Sequence, residues 1–369
     1  MNKIFTILFS NTIPGKIWGG GEKWILMAAH GLREKGHRIL IAGRKDSVFL
    51  ERARTATFET YEFNIHASFN PLKSLSMVRF LKQQSIDVII LNFKKDIRVA
   101  GLAARYAKVP VILARNGVQL FSNKWLDKTT VSLLDGIITN TQTIKHIYDS
   151  FAWMPENFVK VIYNGVRIPG KGDIINIKKL HKIPEDHFVF GSAGRLSPQK
   201  GFDLLIRAMS LLKKKNVPIT VLIAGDGKHK LTLEHLNRSH NTQDRVRFIG
   251  FVEDTDTFIR SVDAVVLPSR AEGMPNFILE AMALGQIALA TRVNGIQELL
   301  KHDENGFVTP PQDVEALAHS MEYVIQQRQR FPIVQKNALE TVRTQYSVER
   351  MVSNLEQYLL QKYNTAHES

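Results

Sequence analysis

Cysteine is absent from the 369 residues, which excludes disulfides, thiolate nucleophiles and Cys-ligated zinc without naming a compartment. Long apolar runs are missing too: no stretch approaches the ~18 residues a membrane-spanning helix needs. The opening Met1–Ser10 (MNKIFTILFS) is apolar only briefly, and Asn11–Lys23 follows without a small-x-small cleavage site. It reads as a first buried strand rather than a signal peptide, and the protein as cytoplasmic. Acidic residues are scarce in one half only. The chain has 49 Lys and Arg against 35 Asp and Glu, a formal +14. Residues 1–170 hold 24 basic and 12 acidic side chains, whereas 171–369 hold 25 and 23. The first half thus carries +12 and the second +2. Such a surplus points to an anionic partner: nucleic acid, a membrane surface or a phosphorylated substrate. No nucleic-acid recognition module accompanies it, so no nucleic-acid partner is expected.

What is present is ordinary globular usage, 44% hydrophobic and 23% charged, at a length that suits two domains. Short β-rich runs alternate with helical stretches, the pattern of a doubly wound parallel sheet. The first series of predicted strands is Ile4–Phe9, Arg38–Ala42, Val88–Leu91, Val109–Ala114 and Gly136–Thr139. A helix Glu22–Glu34 lies among them, ended by Gly36 as a left-handed cap. Asn164–Pro184, rich in Gly and Pro, reads as a boundary. The second series is Phe188–Ala193, Ile219–Ala224, Val246–Gly250, Ala264–Pro268 and Ile287–Thr291. A last helical period runs from Ser347 to Tyr363 through Met351, Leu355, Tyr358 and Leu359. The expected division is 1–168, 169–346 and a C-terminal helix 347–369.

Two stretches of the second half carry the chemistry. Gly194-Arg195-Leu196-Ser197-Pro198-Gln199-Lys200-Gly201 leaves a strand at its carboxyl end, where open α/β sheets place ligands. Arg195 as a fork and Lys200 as a point charge suit one diphosphate there, aided by the amides of the helix starting at Phe202. Ser269-Arg270-Ala271-Glu272-Gly273-Met274-Pro275-Asn276-Phe277-Ile278-Leu279-Glu280 leaves another strand. The amides of Met274–Phe277 would open a helix toward a ligand. Glu280, in an apolar run, suits vicinal hydroxyl donors; an ordinary capping acid and surface Glu are the plainer alternative for Glu272 and Glu280. Asp254-Thr255-Asp256 matches an Asp-x-Asp metal string but reads as a helix cap. His30, His37 and His66 form no spaced metal set.

These pieces in order, Gly-Arg-x₄-Lys-Gly, Gly225-Asp226-Gly227, Phe248-Ile249-Gly250-Phe251-Val252 and Glu272-x₇-Glu280, resemble family 4 retaining glycosyltransferases. Gly19-Gly20-Gly21-Glu22-Lys23 opening a helix that ends in Gly36-His37, and Val161–Val166, are similar to that family's first domain. The resemblance spans essentially the whole chain. It implies a GT-B fold: two Rossmann-like doubly wound α/β domains facing across a cleft, with the C-terminal helix crossing back onto the first. It implies a nucleotide-sugar donor, taken as a UDP-sugar, and no further cofactor or metal. Arg195 and Lys200 would bind the diphosphate, Glu280 the ribose, and Glu272 with the Met274, Pro275, Asn276 and Phe277 backbone the donor sugar. The backbone at Phe251 and Val252 would contact the base, and Gly20 would approach the phosphate. The mechanism that goes with the family is front-side attack, the leaving phosphate helping to deprotonate the acceptor hydroxyl while Glu272 orients the sugar.

One departure stands out. Asn116 occupies the position where many members carry His, and Asn cannot act as a base. Some lipopolysaccharide-core members place an aspartate in the loop corresponding to Leu91–Asp96, which nominates Asp96 as the acceptor-side carboxylate; a salt bridge to Lys94, Lys95 or Arg98 is its alternative. Trp18 beside the glycine loop, and Phe121, Lys124 and Trp125 on an exposed-looking segment, are either packing residues or contacts to substrate or lipid. The expected reaction is transfer of a hexose or N-acetylhexosamine to a cell-surface or lipid-linked glycan, with peripheral contact to an anionic membrane surface. The rivals are a nucleotide-sugar epimerase on the same architecture and a two-lobed binding protein without chemistry.

Overall fold

The structure, a computed structural model, describes residues 3–15, 18–65 and 71–368, without the side chains of residues 71 and 73. His66 lies outside the described residues. The chain divides into two compact units, Met1–Gly165 with Val348–Ser369, and Val166–Ser347.

The first unit is built on a parallel sheet of β1 (Thr6–Asn11), β2 (Arg38–Gly43), β3 (Glu59–Glu62), β4 (Val88–Leu91), β5 (Val111–Asn116), β6 (Gly136–Thr139) and β7 (Val159–Val161), in the order β3-β2-β1-β4-β5-β6-β7. Strands such as Val88–Leu91 are buried along their whole length, because helices cover both faces of a parallel sheet. On one face Phe5, Ile7 and Phe9 pack against Trp24, Ile25, Ala28 and Leu32 of the helix Gly20–Glu34. The C-terminal helix Val348–Glu368 joins this layer through Met351, Leu355, Tyr358 and Leu359. The two helices touch at Gly31, where an added Cβ would lie 2.3 Å from Cγ2 of Val352, so any larger residue must push them apart. Lys35 Nζ donates to Glu356 at 2.6 Å beside that contact.

The second unit repeats the plan with β8 (Phe188–Ala193), β9 (Ile219–Ala224), β10 (Val246–Gly250), β11 (Ala264–Leu267), β12 (Ala288–Thr291) and β13 (Phe307–Thr309), in the order β10-β9-β8-β11-β12-β13. The fold class is thus α/β with two doubly wound parallel sheets.

Several boundaries move. The first strand starts at Thr6, not Ile4, because the Phe5 amide is taken by His37 Nδ1 at 3.1 Å. The strand expected at Val109–Ala114 is Val111–Asn116. Lys108, left-handed at φ 60°, closes the preceding helix, and the Val109 amide bonds back to Ala104. Pro110 then has no amide to offer a ladder. The shift places Arg115 and Asn116 on the strand itself. Three strands had no expectation, β3, β7 and β13, each of three or four residues and too short to show a period.

Candidate functional site

Each sheet reverses its strand order once, and ligands of open α/β sheets bind at the carboxyl ends of the strands flanking such a reversal. In the second unit the reversal falls between β8 and β11. The loop after β8 ends in a short turn, Pro198–Lys200, with Pro at its first position. Gly201 follows at φ +67°, and a Cβ there would lie 2.0 Å from the Pro268 carbonyl oxygen. Only glycine lets the loop lie this close to the end of β11. The helix Phe202–Lys214 starts immediately.

The two loops are then stitched together. The Arg270 amide donates to the Gln199 carbonyl at 2.8 Å, and Gln199 Nε2 donates to the Ala271 carbonyl at 2.9 Å. Arg270 Nη1 donates to the Pro198 carbonyl at 2.8 Å, and the guanidinium grips Asp203 with two bonds of 2.6 Å. Burial pushes the Asp203 pKa up, but the Arg270 hydrogen bond and charge prevail and hold it below the usual carboxylate range. A planar fork on a carboxylate fixes orientation as well as distance. The result sits at the loop tips: Lys200 Nζ lies 2.7 Å from Glu272 Oε1, which also accepts from Ser269 Oγ at 2.5 Å. Ser269 is held by Thr291, whose hydroxyl donates to its carbonyl.

The other expected residues come from the same edge. Arg195 is exposed in the loop after β8. Met274, Pro275 and Phe277 are buried; Asn276 opens the helix Asn276–Ala283. Its first amides lack acceptors within the helix. Glu280, half-buried, lies one turn beyond Asn276 on the same helix face. Gly225 donates to the Gly250 carbonyl at 2.7 Å, and Leu196 to the Asp226 carbonyl at 2.9 Å. The loops after β8, β9 and β10 therefore stand side by side. Phe251, 78% exposed, and the half-buried Val252 follow Gly250 on this edge. Asp254 accepts from the Thr257 amide at 3.0 Å and caps the helix Thr255–Ser261.

In the first unit the reversal lies between β1 and β4. Gly20 is the exposed first residue of its helix. The Gly19 amide donates to Glu22 Oε2 at 3.0 Å, and Glu22 Oε1 accepts from Asn11 at 2.9 Å. Arg115 stacks over the Trp24 ring at 4.6 Å and donates to Asn164 at 3.0 Å. Burial lowers its pKa to about 10, against the opposing pull of Glu22. Asn116 is buried, its amide donating to the Tyr148 hydroxyl at 3.2 Å.

Asp96 departs from the loop placement expected for it and from the salt bridge offered as its alternative. It lies in the first helical turn after β4 rather than in a loop, and is fully buried. The salt bridge offered as its alternative does not form: Lys94 pairs with Asp127 at 2.7 Å, and Lys95 Nζ donates to the Thr12 carbonyl at 3.1 Å. Asp96 accepts from the Thr12 amide at 3.2 Å and from the Thr12 hydroxyl. Burial raises its pKa to about 7 against these bonds and the Lys95 charge. Phe121 also differs from expectation. It is buried against Tyr148, whereas Trp125 is exposed. Trp18 is half-buried, with the Arg52 guanidinium 4.3 Å over its ring.

Comparison with known proteins decides the family. Residues 18–168 match Glycosyltransferase Family 4, and residues 173–340 match Glycosyl transferases group 1. The chain belongs to the glycosyl transferases of group 1 and family 4. It is 34% identical over 221 residues to an uncharacterized glycosyltransferase of Methanocaldococcus jannaschii, covering 57% of this chain and 56% of that one. It is 30% identical over 229 residues to the lipopolysaccharide core biosynthesis glycosyltransferase LpsE of Rhizobium meliloti, covering 62% and 65%. The matched part thus spans less than two thirds of each of these relatives. The crystal structure of Anabaena HepE in complex with UDP and glucose superposes with a TM-score of 0.84 at 24% identity, covering 97% of this chain and all of that one. That likeness shows the GT-B fold class shared with this glycosyltransferase family.

The residues that organise the second-unit site, Asp203, Ser269 and Arg270, had no role assigned from sequence. Arg270 stands inside the quoted motif, but its partner is 67 residues away in the chain.

Proposed function

We propose that the protein is a retaining glycosyltransferase. It moves a hexose or N-acetylhexosamine from a nucleoside diphosphate sugar, a UDP-sugar, to a lipopolysaccharide-type or other cell-surface glycan. The carrying observation is the Lys200–Glu272 pair at the strand-order reversal of the second unit. A bound diphosphate offers Lys200 a doubly charged partner in place of one carboxylate. Lys200 then turns to the leaving group and frees Glu272 to accept hydrogen bonds from the sugar. Cations and helix amides placed where charge develops stabilise the transition state. Arg195 adds a second cation, Glu280 takes the ribose hydroxyls, and the backbone at Phe251 and Val252 borders the base. Gly20 and Asp96 are assigned to the first unit's share of the reaction, the phosphate approach and the acceptor hydroxyl.

The UDP and glucose of the HepE complex and the core-glycan role named for LpsE favour this donor and acceptor class. The test is a transfer assay with a panel of nucleotide sugars, with the anomeric configuration of the product read by NMR. Lys200→Ala and Glu280→Ala are each expected to cut turnover by roughly a hundredfold or more while the fold persists. Full activity in both overturns the donor site. Conversion of the donor without any acceptor identifies an epimerase instead.

A further inference from the structure

The first unit holds a cation that its own carboxylates leave unpaired. Arg115, near the end of β5, is 4% exposed, so the surface charge surplus plays no part in its setting. Its guanidinium lies over the Trp24 ring, and Nη2 donates to Asn164 Oδ1 at 3.0 Å. No carboxylate among the described residues pairs with it, and Nη1 has no hydrogen-bond acceptor among them. A buried guanidinium is costly unless an anion meets it. The aromatic stack and Asn164 hold this one in place ahead of any ligand, which lowers the cost of binding one.

Two glycines keep Nη1 uncovered. A Cβ on Gly21 would lie 3.7 Å from it, and one on Gly117 3.0 Å; both glycines are half-exposed. Gly21 belongs to the first turn of the helix Gly20–Glu34, whose opening amides have no acceptors within the helix and form its positive end. Nη1 therefore faces that N-terminus.

The neighbouring strands add acceptors. Asn92 directly follows β4 and Asn140 directly follows β6, the strands on either side of β5. The Oδ1 atoms of both are buried without a partner. Such oxygens can only accept, so a ligand satisfying them brings hydroxyl hydrogens as well as charge. Glu22 limits that charge. It is buried in the same first turn, and its field acts on Arg115. One guanidinium, one carboxylate and about half a charge from the helix end suit a single added negative charge; a dianion would be repelled by Glu22.

We propose that Arg115 and the opening turn of the helix Gly20–Glu34 form a subsite for a sugar carboxylate, carried by an acidic monosaccharide of the acceptor glycan. The carboxylate takes Arg115 Nη1 and the Gly21 amide, and ring hydroxyls donate to Asn92 and Asn140. A neutral sugar would leave the guanidinium unpaired, and a phosphate monoester would bring a second charge. Gly20, one residue earlier, keeps the approach to the donor phosphate. That the ligand is an acceptor rests on the function proposed above. The binding is measured without turnover, so its failure leaves the transfer reading standing.

The experiment is saturation-transfer NMR on the full chain with methyl β-D-glucuronide and methyl β-D-glucoside, with inorganic phosphate as competitor and a parallel UDP titration. Binding is expected for the glucuronide only. Arg115→Met keeps a contact with Trp24 but removes the charge, and should weaken glucuronide binding roughly tenfold or more. Gly21→Ala places a methyl group beside Nη1 and should do the same. Its thermal midpoint should hold or rise, because alanine suits a helix better than glycine. Both variants are expected to keep the wild-type affinity for UDP. If Arg115→Met unfolds, Gly21→Ala decides alone. Equal binding of the two glycosides, wild-type glucuronide binding by the folded variants, or displacement of the glucuronide by equimolar phosphate overturns the proposal. A parallel loss of UDP affinity assigns the cation to the donor diphosphate and overturns it as well.

Discussion

The two strand-order reversals use the same backbone plan and opposite electrostatics. In the second unit, loops from β8 and β11 bring a lysine and a glutamate to 2.7 Å, with the lysine side chain 21% exposed. In the first, segments after β1 and β4 bring Thr12 and Asp96 together, and the carboxyl group is fully buried. Lys200 is the more exposed partner and can turn to an incoming anion, while the buried Glu272 keeps the hydrogen bond from Ser269. A buried carboxyl held by a hydroxyl and an amide resists charging and stays near neutrality in its titration. The first arrangement suits exchange with a charged ligand, the second a proton whose position depends on local polarity.

The sharpest way to break the comparison is at Gly201. Gly201→Ala places a methyl group 2.0 Å from the Pro268 oxygen at φ +67°. The loop after β8 must then leave β11, and Lys200 must leave Glu272. Strain of this kind is expected to cost roughly 2–4 kcal/mol of stability and to abolish donor-dependent stabilisation. Thermal unfolding with and without UDP reads both, and an unchanged response to UDP shows that the close approach does not set the site.

A smaller effect is expected at the stitch. Arg270→Met removes the fork on Asp203 and the bond to Pro198 but leaves Lys200 and Glu272 in place. The KM for donor should rise roughly tenfold with a smaller change in kcat. Asp203→Asn added to it should cost little more, since the two side chains act as one unit. Arg270→Lys should rescue only part, because an ammonium cannot make the planar double bond. Additive losses would separate the two residues.

The mildest change isolates the first unit. Asp96 has a folded-state pKa of about 7, well above that of the unfolded chain, so between about pH 4 and 7 the folded state binds the extra proton. Stability therefore falls as pH rises through that window, by at most ~1.4 kcal/mol per unit, and levels off above it. Asp96→Asn keeps the shape, accepts from the Thr12 amide and donates to its hydroxyl. Denaturant titrations across this range should show a flatter profile for Asp96→Asn and higher stability than wild type above pH 7. A parallel pH dependence in both proteins would mean that another group carries the slope. If Asp96 serves the acceptor hydroxyl, the same variant loses transfer while retaining UDP binding.

Much of the second-unit site was legible because its signals are local. Lys200 and Gly201 close one turn, Glu272 and Glu280 sit within one loop and helix, and a strand ending in polar and glycine residues marks an edge. The stitch was not legible: Arg270 and Asp203 are distant in sequence, and nothing in either segment names the other. Phe121 and Trp125 were read as one exposed segment, yet Phe121 turns inward to Tyr148. The five residues 121–125 do not by themselves say which aromatic turns inward. Asn116 was identified as a departure from the family, but its burial followed from a strand that begins after Pro110. Short edge strands such as Val159–Val161 show no period, because their pairing partner alone makes them strands.

The alternation of short apolar runs with helical periods, the placing of glycines, and the division of charge between +12 and +2 are properties of the chain itself. They determined an α/β protein with a cation-bearing loop and a glutamate pair shared by one loop and the helix after it, because hydrophobic periodicity and backbone sterics act over a few residues. Tertiary structure decided which of those charges meet. It paired Lys200 with Glu272, gave Arg270 to Asp203 and Lys94 to Asp127, left Asp96 with a threonine, and turned Trp125 outward. Those outcomes depend on which distant segments share a sheet edge and how much water remains between them. Both are set only when the strands have found their order.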